Sequence, residues 1–233
     1  MEAQVAVAKV GKYATSESGD SLEMIERPAG GLSFVLVDGQ RSGKSAKAVS
    51  NTVARKAISL LADGVRDGAA ARAASDYLHT YRSGKVLATL NILSIDLVSH
   101  TLVISRNNPA PVLLVKGGEV VALDGPALPV GSRQGIRPEI TQVPLESGLA
   151  AVVFTDGLTH AGDRAGMPMD IAAQVRSFVK AGLPPPQAWA DTLLQEALSL
   201  DQGRASDDIS ILVAAILDRR PEEARRLWVR APL

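Results

Sequence analysis

The chain has 233 residues, 46% hydrophobic and 21% charged, proportions that exclude a disordered or fibrous protein. Its 25 basic and 25 acidic residues cancel and only 3% are aromatic, so it lacks the positive field and the stacking surface of a nucleic-acid-binding protein. With no cysteine there is no disulfide framework, no thiolate zinc site and no cysteine nucleophile.

Residues 1–14 lack a basic stretch followed by an apolar one, so no secretory signal is expected. The longest apolar run, 211–217, is far short of the roughly 20 residues that span a bilayer, and a soluble, cytoplasmic, membrane-free protein is expected. Val5, Val7 and Val10 alternate as in a strand. A polar segment with Gly19-Asp20 follows, and then an apolar strand over 32–37 that is closed by Asp38-Gly39. Ala46, Val49, Val53, Ala57, Leu60 and Leu61 recur at spacings of three and four, which predicts an amphipathic helix stopped by Gly64; 69–81 predicts a second, Ala-rich helix.

From residue 86 the pattern turns to strands, at 86–97, 102–105, 112–115 and 120–123, joined by turns such as Lys116-Gly117-Gly118. Connections this short join antiparallel neighbours, so these strands are expected to form one meander. Strands at 139–143 and 150–155 follow, the latter ended by Asp156-Gly157. Helices are expected at 171–181 and 187–200, and a last strand at 209–217 directly after Asp207-Asp208. Strands in antiparallel sets and helices in pairs predict an α+β domain of two stacked sheets covered by helix pairs. The domain is placed at 1–218, and an Arg-rich tail at 219–233, around Trp228, is read as a solvated terminal helix.

Asp-Gly is a favoured turn dipeptide, and it occurs at 38, 63, 67, 124 and 156. Two of the five differ in setting, because Asp38 and Asp156 each stand where an apolar strand surfaces. Asp207-Asp208 mirrors this at the start of the last strand, and Asp20 offers a fourth carboxylate. Brought together without a cation, four carboxylates repel and one is forced to keep a proton. Mg²⁺ or Mn²⁺ would relieve the conflict, since both prefer carboxylate, carbonyl and water oxygens, and a pair of such ions can activate water against a phosphoryl group. An ordinary set of strand-end turns is the competing reading at this point.

Several ordered segments carry a resemblance. Gly19-Asp20, Val37-Asp38-Gly39-x-x-Ser42-Gly43-x-x-Ala46, and Ala88-Thr89-Leu90 with Asp96 resemble the first half of the PPM (protein phosphatase 2C-like) family. Asn107-Asn108-Pro109-Ala110-Pro111-Val112-Leu113-Leu114, Gly125 to Gly131, Phe154-Thr155-Asp156-Gly157-Leu158-Thr159-His160-Ala161 and Asp207-Asp208-Ile209-Ser210 resemble the second half. The chain is most similar to the bacterial SpoIIE-type branch, and within it to the small RsbX-type phosphatases of the stressosome.

The resemblance implies a four-layer αββα sandwich with two divalent cations, Mn²⁺ or Mg²⁺, in a cleft between the sheets. Carried over by position, Asp38 bridges both ions and the Gly39 carbonyl binds one. Asp156 and Asp207 complete the second, Asp20 acts through water, and Asp207 is the ligand of its pair instead of Asp208. The implied reaction is hydrolysis of phosphoserine or phosphothreonine by metal-activated water, with Asp38, Asp156 and Asp207 as the catalytic set and no phosphoenzyme. The implied partners are phosphorylated STAS-domain proteins of a stressosome-like complex, met by a monomeric enzyme.

Arg41, Ser42 and Lys44, beside Asp38, are candidate contacts for substrate phosphate. The chain departs from the branch at Arg41, Ser42 and Asn108, where Gly, His and His are common. Gln40 takes the place of a His found in many relatives, so no proton donor for the leaving oxygen is assigned. A haloacid dehalogenase-like hydrolase is disfavoured because residue 154, where its nucleophile would stand, is Phe. A catalytically weak module that binds a phosphoprotein or scaffold is the alternative.

Overall fold

The computed structural model describes residues 1–28, 30–219 and 224–231. Among these residues ten strands form two five-stranded sheets in which all neighbours are antiparallel. The first sheet runs β1 (Glu2–Val10), β10 (Ile209–Leu217), β9 (Ala150–Phe154), β6 (Val112–Lys116) and β7 (Glu119–Leu123). The second runs β2 (Asp20–Glu26), β3 (Leu32–Gly39), β4 (Ala88–Asp96), β5 (Thr101–Asn107) and β8 (Glu139–Pro144). Helices α1 (Gly43–Ala62) and α2 (Asp67–Tyr81) cover the second sheet. The one-turn α3 (Asp156–Thr159) follows β9, and α4 (Ile171–Lys180) and α5 (Pro186–Leu200) cover the first sheet. The architecture is the αββα sandwich.

Strand alternation builds this layering. In β10, Ile209, Ile211, Val213, Ala215 and Leu217 face α4 and α5, while Leu212, Ala214 and Ile216 face the opposite sheet. All nine of its residues are buried, as expected of a strand covered on both faces. Phe34, Leu36, Leu93, Leu102 and Ile104 meet it from the second sheet, and Val35, Val37 and Ile92 pack under α1 and α2. Each buried Val, Leu, Ile or Phe among them contributes about 1.5–3 kcal/mol by leaving water, before conformational entropy is subtracted. Two of the scarce aromatics meet: Trp189, fully buried, stacks on Phe178 at 5.0 Å and pins α5 to α4.

Three expectations need correction. The strands from 86 to 123 are two hairpins in different sheets, since residues 108–111 carry the chain from β5 across to β6. Pro109 and Pro111 remove ladder donors there, and Asn108 Oδ1 accepts the Ala110 N–H at 2.9 Å to turn the chain out of the sheet. Asp67 is no ordinary turn residue. It opens α2, is buried, accepts from Arg27 at 2.9 Å and from the Ser94 hydroxyl, and so ties the helix to the sheet.

The third correction concerns the tail. Residues 220–223 and 232–233 lie outside the described residues, and 224–231 are exposed without regular structure in place of the expected helix. Arg225 touches Glu26 at 3.3 Å and the Gly30 carbonyl. Among the described residues no helix is long and apolar enough to cross a membrane.

Candidate metal centre

One end of the sandwich gathers the strand-end aspartates. Antiparallel pairing of β2 with β3 sets Asp20 directly opposite Asp38. Asp38 closes β3, and Gly39 then lets α1 approach: a Cβ there would collide with the Ala46 carbonyl oxygen. The glycine expected to clear a path to a cation is thus also required by helix packing. Across the cleft, Asp156 opens α3 after β9, and a Cβ on Gly157 would collide with the Asp208 carbonyl oxygen. Asp207 precedes β10, partly exposed, with the Lys12 ammonium 3.6 Å away.

Asp20, only 1% exposed, crosses from one sheet to the other. Its Oδ2 accepts from Ser210 Oγ at 2.6 Å and from Thr155 Oγ1 at 3.0 Å, while its Oδ1 has no hydrogen-bond donor. Lys9 and Lys47 both donate to its backbone carbonyl, at 2.6 and 2.7 Å. Asp208, by contrast, is committed to structure: its two oxygens accept the Lys12 and Gly19 N–H groups at 2.9 and 2.8 Å and fix the loop between β1 and β2. Asp207 is the member of the pair left toward solvent.

The electrostatics record crowding. Burial raises the Asp38 carboxyl to about 9, reinforced by Asp20, Asp156 and Asp207, and the Asp20 carboxyl stands within hydrogen-bonding reach of it. Burial lifts Asp20 to about 6 against the pull of its hydroxyl donors, and burial followed by the Asp207 charge raises Asp156. Asp38 therefore keeps a proton at neutral pH when nothing neutralises the cluster.

Among the described residues no three His, Asp or Glu side chains already stand in a ready ligating cage. The donor set nevertheless suits a hard divalent cation. It is all oxygen, it includes an orphaned buried carboxylate oxygen on Asp20, and its repulsion is of the kind a cation relieves.

The remaining residues singled out by the sequence lie at different distances from this group, Asp96 at the far end of β4 from the Thr89 that pairs with Asp38. Arg41 is exposed with φ 79°, Ser42 precedes α1 without capping it through its side chain, and Lys44 is exposed in the first turn. Among the described residues neither Arg41 nor Lys44 has an ion-pair or side-chain hydrogen-bond partner. Gln40 is occupied elsewhere, its Oε1 accepting the Leu87 N–H at 3.0 Å. Asp96 caps the β4–β5 turn through the Val98 N–H at 2.8 Å. His160, in the turn after α3, is charge-coupled to Asp156 and pairs with Asp163 at 3.0 Å, whereas His79 is bound to the Gly131 carbonyl.

Sequence reasoning assigned no role to Lys9, Lys12, Lys47, Thr155 or Ser210. Ser210 left one signal, being the only polar residue in the nine of β10.

The SpoIIE model, described as stage II sporulation protein E, matches residues 28–217. Stage II sporulation protein E of Bacillus subtilis (strain 168) is 24% identical over 216 residues, 93% of this chain and 25% of that protein. The Priestia megaterium protein of the same name is 22% identical over 93% of this chain and 37% of its own length. This chain thus spans between a quarter and two fifths of these relatives.

Among solved structures, the PP2C phosphatase domain of SpoIIE from Bacillus subtilis, with a fragment of its regulatory domain, superposes with TM-score 0.80 at 22% identity, covering 94% of this chain and 64% of that one. RsbX in complex with magnesium gives TM-score 0.69 at 15% identity over 92% of this chain and 95% of that one. The catalytic domain of serine/threonine protein phosphatase PstP, in complex with 2 manganese ions, gives 0.67 at 16% identity over 93% and 99%. The chain belongs to the SpoIIE family, and its fold is that of the PP2C phosphatase domain.

Proposed function

We propose that this chain is a metal-dependent serine/threonine protein phosphatase that removes phosphate from phosphoserine or phosphothreonine on signalling proteins. One observation carries the reading: Asp38 and Asp20 from one sheet meet Asp156 and Asp207 from the other, and burial together with this crowding holds Asp38 at about 9. The relatives solved with magnesium and with two manganese ions support the choice of cations. Asp38 would hold both ions, the Gly39 carbonyl and, through water, Asp20 one side of the centre, and Asp156 with Asp207 the other. Two Mn²⁺ or Mg²⁺ ions, when bound, supply a water of lowered pKa and neutralise charge on the phosphoryl oxygens.

The chain's own residues do the rest. The fixed sheet ends hold the carboxylates in place, so little reorganisation accompanies the reaction. Lys12, beside Asp207, and Arg41, Ser42 and Lys44, at the start of α1, would meet the anionic substrate. Gln40, bonded to Leu87, is no proton donor for the leaving oxygen. The substrates we assign are phosphorylated STAS-domain proteins of a stressosome-like assembly, acted on in the cytoplasm by a monomer. That finer reading rests on the RsbX-type resemblance.

The test is phosphate release from a phosphoserine STAS-domain protein with Mn²⁺ or Mg²⁺ present and then chelated. Release that stops on chelation and is missing in Asp38→Asn is expected. Activity that survives either change would sink the mechanism, and metal binding without activity on any phosphoprotein would favour the binding-module alternative.

A further inference from the structure

Packing between the two sheets is apolar along most of the interface and gives way, at the aspartate end, to a clasp of two hydroxyls on one carboxylate oxygen. The clasp has a defined proton direction. Thr155 N–H donates to the Ser210 carbonyl at 3.1 Å, and Ser210 N–H donates back to Thr155 Oγ1 at 3.0 Å. With a lone pair of Thr155 Oγ1 so occupied, its proton goes to Asp20 Oδ2 at 3.0 Å, the Asp208 carbonyl at 3.3 Å being the poorer acceptor. Ser210 Oγ donates to the same Oδ2 at 2.6 Å. Thr155 and Ser210 are both 1% exposed or less, so water does not compete.

We propose that Thr155 and Ser210 are positioning residues for cation binding: they saturate Asp20 Oδ2 and leave Oδ1, which no hydroxyl or N–H donor engages, free to face the cations. Because both donors belong to the first sheet and Asp20 to the second, the clasp also sets the separation of the two ligand pairs. Thr155 directly precedes Asp156, so one short stretch of backbone anchors a ligand from each side. A carboxylate held this way meets an ion in one rotamer, and loss of such outer partners typically costs about 10- to 100-fold in metal affinity.

The proposal rests on the metal-centre reading above, and its test does not depend on turnover. Mn²⁺ binding to the whole chain is measured by titration calorimetry at one pH for Thr155→Val, Ser210→Ala, Thr155→Ser and Ser210→Thr, each also melted in chelator. Thr155→Val and Ser210→Ala are expected to weaken Mn²⁺ binding about 10- to 100-fold while still folded, and the hydroxyl-retaining pair to stay close to wild type. Should Ser210→Ala melt below the assay temperature, Ser210→Cys is read in its place, with an intermediate loss expected from its weaker donor.

Wild-type affinity in both hydroxyl-less variants, or equal losses in the hydroxyl-retaining ones, would overturn the positioning role and leave the metal centre standing. A wild-type chain that binds no Mn²⁺ would overturn both.

Discussion

Asp38 and Asp20 face each other at the end of a two-strand ladder, and their proximity has a measurable consequence. Asp38 in the folded chain sits near 9, against an ordinary carboxylate value of 3.8. Between those values the unfolded chain has released a proton that the folded chain keeps, so stability falls as pH rises. The chelated protein should therefore melt at progressively lower temperature from about pH 6 to pH 9, and Mn²⁺ should remove most of that slope; thermal scans across pH check this. Asp38→Asn should flatten the same slope without metal and abolish Mn²⁺ binding, a pairing of gained alkaline stability with lost affinity that calorimetry reads directly.

Asp38, Asp156 and Asp207 were legible in the sequence because each stands at an end of an apolar strand, whereas Asp20, in a polar segment, was ranked only by the resemblance. The hydroxyl partners of Asp20 were not legible, since Thr155 and Ser210 lie 135 and 190 residues from it and no local pattern links them.

At the level of elements, two contacts decide how helices meet sheets. The Arg27–Asp67 pair is nearly buried and, through Ser94, roots α2 in the second sheet. Asp67→Ala leaves the guanidinium without its partner and should cost about 3–5 kcal/mol in urea denaturation. Gly39 and Gly157 let backbone from Ala46 and from Asp208 pass at close range. Gly39→Ala and Gly157→Ala should each weaken Mn²⁺ binding and lower the melting temperature, because a methyl group displaces the segment that carries a ligand.

Helix and strand periods placed these elements well, α1 and β10 most clearly. The switch of β5 and β6 between sheets escaped because a four-residue connection flanked by apolar strands reads the same in either layer. Asp67 escaped because an Asp-Gly pair at a helix start looks like one in a turn.

At the scale of the molecule, residues 224–231 of the Arg-rich tail are exposed and outside the two sheets. The Arg225–Glu26 pair is more than half exposed on both sides, a setting in which ion pairs are worth roughly 0–1 kcal/mol. A chain ended after Asp218 should keep its urea midpoint within that margin. The layered architecture was legible because antiparallel strand sets and paired helices need two sheets to bury their faces; which strand joins which sheet depends on pairings distant in sequence.

Sheet composition also dictates an order of events during synthesis. The second sheet has all five of its strands once residue 144 is made, whereas the first pairs its opening strand, from residue 2, with its last, ending at residue 217. A chain emerging from the ribosome can therefore finish one half of the sandwich while β1 waits, unpaired, for β10. Asp20 and Asp38 come into register in that first half, and Asp156 and Asp207 join them only when the final strand closes the molecule. Assembly of the carboxylate cluster, with its repulsion, is thereby deferred to the end of folding.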